Sequence, residues 1–228
     1  MDNDNDNIEI VVARYNENLI WTKEYPFNRF KYTVYNKGVN DDFEKSNIKK
    51  IINLPNVGRC DHTYLYHVVH NYSNLVPITV FFPGSIGENQ DKKEKGCKIL
   101  LNILKYKTAI FLCTHSDNIK HQFKNFTLDK WCCTDKTNAE LNSESDLLPA
   151  IIRPYGRWYD YHFGNIVVKN WCIHGIFSIH KLDITQHNIR RYIKLLNAVA
   201  RHSNPEVGHY IERSWCAIFH PLVYTKVI

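Results

Sequence analysis

The sequence predicts an α/β protein with a mostly parallel central sheet flanked by helices. Apolar, β-branched runs alternate with amphipathic stretches through the first half of the chain, in the order β-α-β-α-β-α-β. The predicted strands stop at polar or glycine-containing segments, as strands do where a loop leads into a helix. The 228 residues, 44% of them hydrophobic, suit a single domain with a large core.

The first predicted strand, Ile8–Tyr15, is the element around which the sheet is organised. It is apolar and β-branched, and a short helix is predicted over Asn18–Glu24. The polar residues at the junction are Arg14, Tyr15, Asn16 and Glu17. Ligands bind beyond the carboxyl ends of strands in open α/β sheets, so these residues are candidate ligand contacts. The alternative is an ordinary strand-to-helix turn with a solvated Glu17 and a capping Asn16.

The second predicted strand, Phe30–Asn36, leads into Lys37 and Gly38. Lys37 is therefore expected at the same sheet edge as Arg14, with Asn36 beside it. The polar stretch Asp41–Lys50 predicts a loop. A helix is predicted over Asp61–Tyr72 because its apolar positions form one stripe, and Asp61 suits the N-cap or first turn.

The next predicted elements are a buried strand over Pro77–Phe82, a helix over Lys93–Lys105 and a fourth strand over Thr108–Cys113. The polar, irregular stretch Thr114–Ala150 is long for a loop, which predicts an insertion, a flap or an extra hairpin. Residues 1–7 predict a disordered tail, and residues 8–228 predict one domain.

The last third of the chain predicts a strand within Trp171–His180, around Gly175. A helix follows over Thr185–Arg201, with Thr185 as its cap. Asn204-Pro205 then predicts the start of a final helix, with proline at the first helical position, that runs to about His220.

Composition excludes several classes of function. A net charge of +6 suits an anionic ligand, but lysine and arginine do not cluster as in a nucleic-acid-binding protein, so no nucleic-acid partner is predicted. Seven cysteines without regular spacing predict reduced thiols and no zinc site. Together with a polar N-terminus unlike a signal peptide, they predict a cytoplasmic protein. No apolar run approaches the roughly 20 residues of a transmembrane helix.

Several segments resemble, in matching order, a domain family of unknown function found in fungi, bacteria and large DNA viruses. They are VVARYNENLIW, YNKG, LPNVGRCDHTYLYHVVHNY, TVFFPGS, GIFSI and YIERSW. That family is similar at fold level to GT-A glycosyltransferases, which have the nucleotide-diphospho-sugar transferase fold. The resemblance implies a GT-A-like domain that binds a nucleotide sugar and transfers the sugar to a glycan or protein acceptor. If the chain is viral, it also implies a place in the host cytoplasm or the virion.

The sequence departs from this pattern at two positions. The family's loop usually reads Gly-Arg-Glu where this chain has Gly58-Arg59-Cys60, and the nearest acid is Asp61. Many GT-A enzymes carry Asp-x-Asp after a central strand to hold Mn²⁺ or Mg²⁺ on the diphosphate, whereas Pro83-Gly84-Ser85 stands at that place here. No metal-binding residue is therefore predicted, and the sequence leaves the cofactor unknown, with Mn²⁺ or Mg²⁺ as the candidate cations. Either basic groups balance the diphosphate, or transfer activity has been lost.

Glycosyl transfer needs positive charge at the leaving diphosphate. Arg14, Lys37 and Arg59 all follow predicted strands and are candidates to converge on it. Tyr15, Asn16, Glu17 and Asn36 complete the predicted nucleotide and diphosphate site. The alternative is that each cation is a separate surface residue.

Inversion of the sugar configuration also needs a carboxylate to take the acceptor's proton. The residues predicted to act on the sugar or acceptor are Glu212 as base, Asp61 as the next carboxylate, and His174, His209 and Trp215 as acceptor or sugar-platform residues. The alternative pairs Glu212 with an arginine and packs Trp215 in the core. The protein would then be a non-catalytic glycan- or nucleotide-binding protein, or a structural protein.

Overall fold

The computed structural model describes residues 7–129, 147–172 and 174–228. Its strands are β1 (Ile8–Arg14), β2 (Tyr32–Asn36), β3 (Ile48–Asn53), β4 (Ile78–Pro83), β5 (Ile110–Phe111), β6 (Thr114–His115), β7 (Asn170–Trp171), β8 (Phe177–His180) and β9 (Lys226–Val227). Its α-helices are α1 (Arg59–Asn71), α2 (Gln90–Tyr106), α3 (Ile119–Gln122), α4 (Tyr155–Phe163), α5 (Lys181–Thr185), α6 (Ile189–Val199) and α7 (Glu206–Ile218).

A five-stranded sheet of order β3-β2-β1-β4-β8 runs through the protein. Neighbouring strands from β3 to β4 are parallel, and β8 is antiparallel to β4. The prediction of an α/β protein with a mostly parallel central sheet flanked by helices is confirmed. Among the described residues, no helix combines the length and apolarity that a membrane crossing requires.

The sheet is buried on both faces because successive side chains of a strand point in opposite directions. Val11 and Phe81 belong to a core shared with α1, α4, α6 and α7. Val12 and Phe82 belong to a second core, which α2 and the segment around Trp21 cover. Strands covered on both faces read as continuous apolar runs, which is why β1 and β4 were visible in the sequence.

One loop prediction was partly wrong, and one predicted strand is shorter and lies elsewhere than expected. Asp41–Lys50 is not all loop, because β3 begins at Ile48 and pairs with β2. Of the predicted fourth strand, Thr108–Cys113, the structure has only the two residues of β5, and these pair with β9 outside the central sheet. The Ser178 hydroxyl of β8 bonds both Ile110 N, at 2.6 Å, and Ile110 O, at 2.8 Å, in place of a backbone ladder.

Several helix boundaries also differ from the prediction. The first helix is only a 3₁₀ turn, Ile20–Lys23. Thr185 ends α5, and α6 is capped instead by Asn188, whose side chain accepts from Arg190 N at 2.9 Å. Pro205 is the N-cap of α7 and not its first helical residue, so the helix begins one residue later than predicted.

The predicted Trp171–His180 strand is interrupted. His174 and Gly175 have positive φ values of 67° and 62° and form a turn before β8. Of the predicted insertion, the described part holds β6 and α3. Residues 130–146 lie outside the described residues, as do residues 1–6 of the predicted tail.

Candidate functional site

The carboxyl ends of β2, β1 and β4 lie side by side in the sheet. From β1 the chain passes to β2 and β3 on one side, and β4 later adds on the other side of β1. Such a reversal of strand order leaves a crevice outside the carboxyl ends, where doubly wound sheets bind ligands. The candidate site is built from the side chains that reach this edge.

Arg14 ends β1 and is fully buried. Its Nε donates to Glu17 O at 2.8 Å, and its Nη1 donates to Asn36 Oδ1 at 2.5 Å and Asn40 O at 2.6 Å. The guanidinium also lies 4.0 Å from the centre of the Phe43 ring. The Arg14 side chain therefore links the carboxyl ends of β1 and β2 through its hydrogen bond to Asn36. Its Nη2 is buried and has no hydrogen-bond partner among the described residues, and the binding of a diphosphate by Arg14 stays a prediction.

The segment after Arg14 is tightly packed between two glycines. A Cβ on Gly38 would lie 1.6 Å from Tyr15 O and 2.4 Å from Asn16 Oδ1, and one on Gly84 would lie 2.7 Å from Glu17 Oε2. Glu17 is buried, and its Oε2 accepts from Tyr15 N at 2.6 Å. Glu17 is therefore not the solvated residue of an ordinary turn.

Lys37 reaches from the end of β2 to the start of α1. Its ammonium donates to Val57 O at 2.6 Å and also to Arg59 O. Burial lowers the pKa of Lys37 to about 7, while the nearby Cys60 and Asp61 act to raise it. Lys37 and Arg59, two of the predicted diphosphate cations, thus lie together at the N-terminus of α1.

The start of α1 requires an unusual backbone. Gly58 and Arg59 have φ values of 61° and 51°, and a Cβ on Gly58 would lie 2.5 Å from Val199 O. Gly58 is the N-cap and provides no side-chain oxygen for the first turn. The N-terminal end of a helix carries partial positive charge and favours anions.

Asp61 and Glu212, the two predicted catalytic carboxyl groups, lie within electrostatic range of each other. Asp61 is buried in the first turn of α1, where its Oδ1 accepts from Trp215 Nε1 at 3.1 Å. Burial raises the pKa of Asp61 to about 8, and the charge of Glu212 acts in the same direction. Glu212 is half-buried on α7, and its Oε1 accepts from His174 N at 2.9 Å.

His174 connects this pair to α2. Its Nε2 lies 3.0 Å from Asp91 Oδ2, which is also 3.1 Å from Lys95 Nζ. Burial lowers the pKa of His174, and the charge of Lys95 lowers it further. Sequence reasoning missed Asp91 because it lies in a mixed-charge run that is typical of a solvated helix start.

The other two predicted platform residues are buried. Trp215 is fully buried and packs against Tyr64, Phe177 and Phe219. His209 is 5% exposed, and burial together with nearby arginines lowers its pKa to about 2. Neither ring offers a face to a sugar, so the structure does not support the platform role and favours the core-packing alternative for Trp215.

A buried serine–lysine contact lies at the end of β4, and the sequence did not reveal it. Lys92 Nζ, in the first turn of α2, donates to Ser85 Oγ at 2.8 Å. Ser85 is 3% exposed and Lys92 is 8% exposed. Lysine is rarely so buried, and a spacing of seven residues across a turn gives no recognisable motif.

A divalent metal does not fit the end of β4, where the GT-A resemblance would place its ligands. The residues there are Pro83, Gly84 and Ser85, and the Ser85 hydroxyl already accepts from an ammonium group. The carboxylate of Glu17 lies beside Gly84, but its Oε2 already accepts from Tyr15 N at 2.6 Å. Within residues 7–129, 147–172 and 174–228, no group of three or more histidine, cysteine, aspartate or glutamate side chains could hold a metal ion.

The chain belongs to a family described as a protein of unknown function, DUF3431, which matches residues 10–225. This match confirms the family resemblance of the sequence segments. No curated protein matches the chain.

Proposed function

We propose that this member of the DUF3431 family is a glycosyltransferase of GT-A-like fold. It would bind a nucleotide-sugar donor and transfer the sugar to a glycan or protein acceptor. The observation that carries the proposal is the convergence of Lys37, the N-terminus of α1, Asp61 and Glu212 at the carboxyl edge of a parallel sheet. Cations and carboxyl groups meet there beside the crevice in which such sheets bind nucleotides.

The cations of this edge would bind the diphosphate of the donor. Lys37 and Arg59 meet at the start of α1, where the helix dipole also favours an anion. The leaving nucleoside diphosphate gains negative charge during transfer, so fixed positive groups stabilise the transition state more than the ground state.

Glu212 would take the proton of the acceptor hydroxyl. The hydrogen bond from His174 N to Oε1 fixes the orientation of the Glu212 carboxylate, and the acceptor's proton would go to the other oxygen, Oε2. Asp61, with a pKa of about 8, is mostly protonated at neutral pH and serves as its uncharged neighbour. The two carboxyl groups would therefore have different roles: Asp61 stays protonated, and Glu212 takes the acceptor's proton. Such a division is common in enzymes that use acid–base catalysis.

A non-catalytic nucleotide- or glycan-binding protein is the second candidate. The observation that favours it is the burial of Trp215 and His209, two of the three predicted platform residues; the side chain of the third, His174, is 31% exposed. This candidate retains donor binding and predicts no turnover.

The first test is a thermal-shift screen against uridine, guanosine and cytidine diphosphates and their sugar conjugates, with and without Mn²⁺. A ligand at about 100 times its dissociation constant stabilises a protein by about 2.7 kcal/mol, which is readily measured. A shift with one nucleotide class supports the proposal and identifies the base of the donor. The absence of a shift with every nucleotide contradicts it.

The second test measures turnover of the donor identified in this way. Glu212→Gln keeps an oxygen for His174 N but cannot take a proton, so turnover should fall about 10²- to 10⁴-fold with nucleotide affinity unchanged. The exposed Glu94→Gln is the matched control and should behave as wild type. Binding without turnover in the wild-type protein supports the second candidate, and full turnover by Glu212→Gln removes Glu212 as the base.

A further inference from the structure

Two thiols that the proposed transfer reaction does not use are in contact beside α7. Cys113 lies two residues after β5, and Cys216 lies in the last turn of α7. Their Sγ atoms are 3.7 Å apart, although the two residues are separated by 103 positions in the sequence. None of the cysteines that the structure describes is in a disulfide. The contact is therefore a hydrogen bond between two reduced thiols that the fold brings together.

The two thiols differ in their access to solvent. Cys113 is partly exposed, whereas Cys216 is 1% exposed and belongs to the core that α1, α4, α6 and α7 share. The hydrogen bond with Cys113 and the burial of the group both raise the pKa of the Cys216 thiol. Because thiol chemistry begins at an accessible sulfur, a reagent from solvent would react first at Cys113.

A small movement would convert the contact into a covalent bond. The sulfur atoms of a disulfide are about 2.05 Å apart, so the 3.7 Å separation must shorten by less than about 2 Å. Cys113 is the thiol placed to move, because it follows a two-stranded pair, β5 and β9, that lies outside the central sheet. Its backbone N–H donates to Ile228 O at 3.1 Å. Cys216, in contrast, is held in a helix that is buried along most of its length.

A third thiol lies within electrostatic range of the pair. Cys172 is fully buried, and its Sγ donates to Ile176 O at 3.4 Å. The charge of a Cys172 thiolate would act on both Cys113 and Cys216. The 3.7 Å contact identifies Cys216 as the partner of Cys113. Cys172 is therefore the neighbouring thiol against which that pairing is tested.

A bond at this place would join two separate parts of the fold. One is the β5–β9 strand pair, which Cys113 follows. The other is α7, in which Cys216 lies four residues after Glu212 and therefore one helical turn away on the same side. A disulfide would thus attach the strand pair to the helix that carries the proposed base.

We propose that Cys113 and Cys216 are an oxidation site, at which the folded protein forms a reversible disulfide by exchange with a small-molecule disulfide such as glutathione disulfide. The Cys113 thiolate attacks one sulfur of that molecule, and the first glutathione leaves and takes up the proton that Cys113 released. The Cys216 thiolate then attacks the Cys113 sulfur, and the second glutathione leaves with the proton of Cys216. Two protein thiols are oxidised, and one glutathione disulfide is reduced to two glutathione molecules. The inference does not depend on the proposed transferase activity.

The test is treatment of the folded, reduced protein with an excess of glutathione disulfide. The remaining thiols are then alkylated, and mass spectrometry identifies linked peptides without reduction. We expect one linked pair, which contains Cys113 and Cys216 and disappears with dithiothreitol. It should form faster as the pH rises from about 7 to about 9, because the thiolate is the attacking species. The melting temperature should rise by about 5 to 15 °C, because a cross-link over a long segment restricts the unfolded chain.

Cys172→Ser is the matched control, because it removes a buried thiol of the same region and leaves the contact in place. This variant should still form the linked pair. Cys113→Ser and Cys216→Ser should each abolish it, together with the rise in melting temperature. The melting temperature of each reduced variant shows whether it is folded. If Cys216→Ser does not fold, Cys113→Ser gives the same test at the partly exposed position.

Three outcomes would overturn the inference. One is glutathione attached to Cys113 in a folded protein that forms no internal disulfide. Another is a bond from Cys113 to Cys172, or to any other cysteine, in place of Cys216. The third is a Cys113–Cys216 bond that forms only when urea has unfolded the chain, because the native contact would then have no part in it.

Discussion

Asp61 is the side chain whose burial has the clearest energetic consequence. In the folded protein its pKa is about 8, compared with 3.8 for an unperturbed carboxyl group. Between these two pH values the folded chain holds a proton that the unfolded chain has released. Stability from this group is therefore fully present below about pH 4 and is lost as the pH rises toward about 8.

Asp61→Asn should remove this loss. The amide keeps an oxygen for Trp215 Nε1 and does not titrate, so the variant should gain stability over wild type as the pH rises from 5 to 9. We expect a relative gain on the order of 1 to 3 kcal/mol at pH 9. Urea denaturation at several pH values measures it, with the exposed Asp117→Asn as control. A difference between variant and wild type that stays constant with pH would contradict the prediction.

Binding of a diphosphate should be accompanied by proton uptake at Lys37. Its pKa of about 7 means that most of the molecules carry it uncharged at pH 8.5, and a bound anion favours the charged form. We therefore expect uptake of up to about one proton per bound nucleoside diphosphate at that pH. Calorimetry in buffers of different ionisation enthalpy measures the uptake. Lys37→Met should abolish it and the exposed Lys31→Met should not, and equal uptake in all three proteins would contradict the assignment.

These residues show which parts of the site the sequence could predict. The locations of Lys37 at the sheet edge and of Asp61 in the first turn of α1 followed from the sequence, because parallel strands end at one edge, while their roles stay predictions. The burial of Arg14 and Trp215 did not follow, because a residue's exposure depends on what packs over it from elsewhere in the chain. Lys92 was missed for the same reason, since nothing local distinguishes it from its partly exposed neighbour Lys93.

At the scale of elements, the N-terminus of α7 is where the flanks of residues 130–146 are attached. Glu206 is fully buried in the first turn of this helix. Its Oε1 accepts from Leu128 N at 2.8 Å and from the Tyr210 hydroxyl at 2.7 Å. Its Oε2 accepts from Ala150 N at 2.8 Å and lies 2.9 Å from Arg153 Nε. One carboxylate thus ties both flanks to the helix that carries Glu212.

Glu206→Gln should destabilise the protein by about 3 kcal/mol, because one amide group cannot accept from all of these donors and the buried ion pair loses its charge. The amides of Leu128 and Ala150 should exchange hydrogen faster in the variant. Asp129→Asn is the matched control, since Asp129 also pairs with Arg153 but is 84% exposed at its side chain, and it should cost less than about 1 kcal/mol. Unchanged exchange at both amides would show that Glu206 is not the anchor.

The strand predictions succeeded or failed according to burial. β1 and β4 are covered on both faces and have apolar sequences that reveal them. β3 is an edge strand with exposed Lys49 and Lys50; Ile48 and Ile52 pack against the cores, but the strand lacks the continuous apolar run of β1 and β4. The apolar stretch that contains β5 is buried as well, but its strand is short because a serine side chain replaces the ladder.

At the scale of the whole molecule, the central sheet separates two cores. On one face Phe81 lies 4.7 Å from Tyr64 and 5.2 Å from Phe177, measured between ring centres. On the other, Phe82 lies 6.1 Å from Trp21 and 6.2 Å from Phe27. The edge that carries the candidate site is held by both cores, because β1 and β4 contribute side chains to each.

Phe81→Ala and Phe82→Ala should therefore be almost equally damaging, although the two residues are neighbours that point in opposite directions. Both are fully buried, and removing a buried phenylalanine costs about 3 to 5 kcal/mol because it leaves a cavity. Urea denaturation measures both losses, and Leu101→Ala, at 41% exposed, should cost much less. A loss below about 1 kcal/mol for Phe82→Ala alone would mean that α2 and the Trp21 segment do not seal the second face. The parallel sheet would then be covered on one side only, which is rare for parallel strands and would remove the support that holds Ser85 and Lys92 at the end of β4.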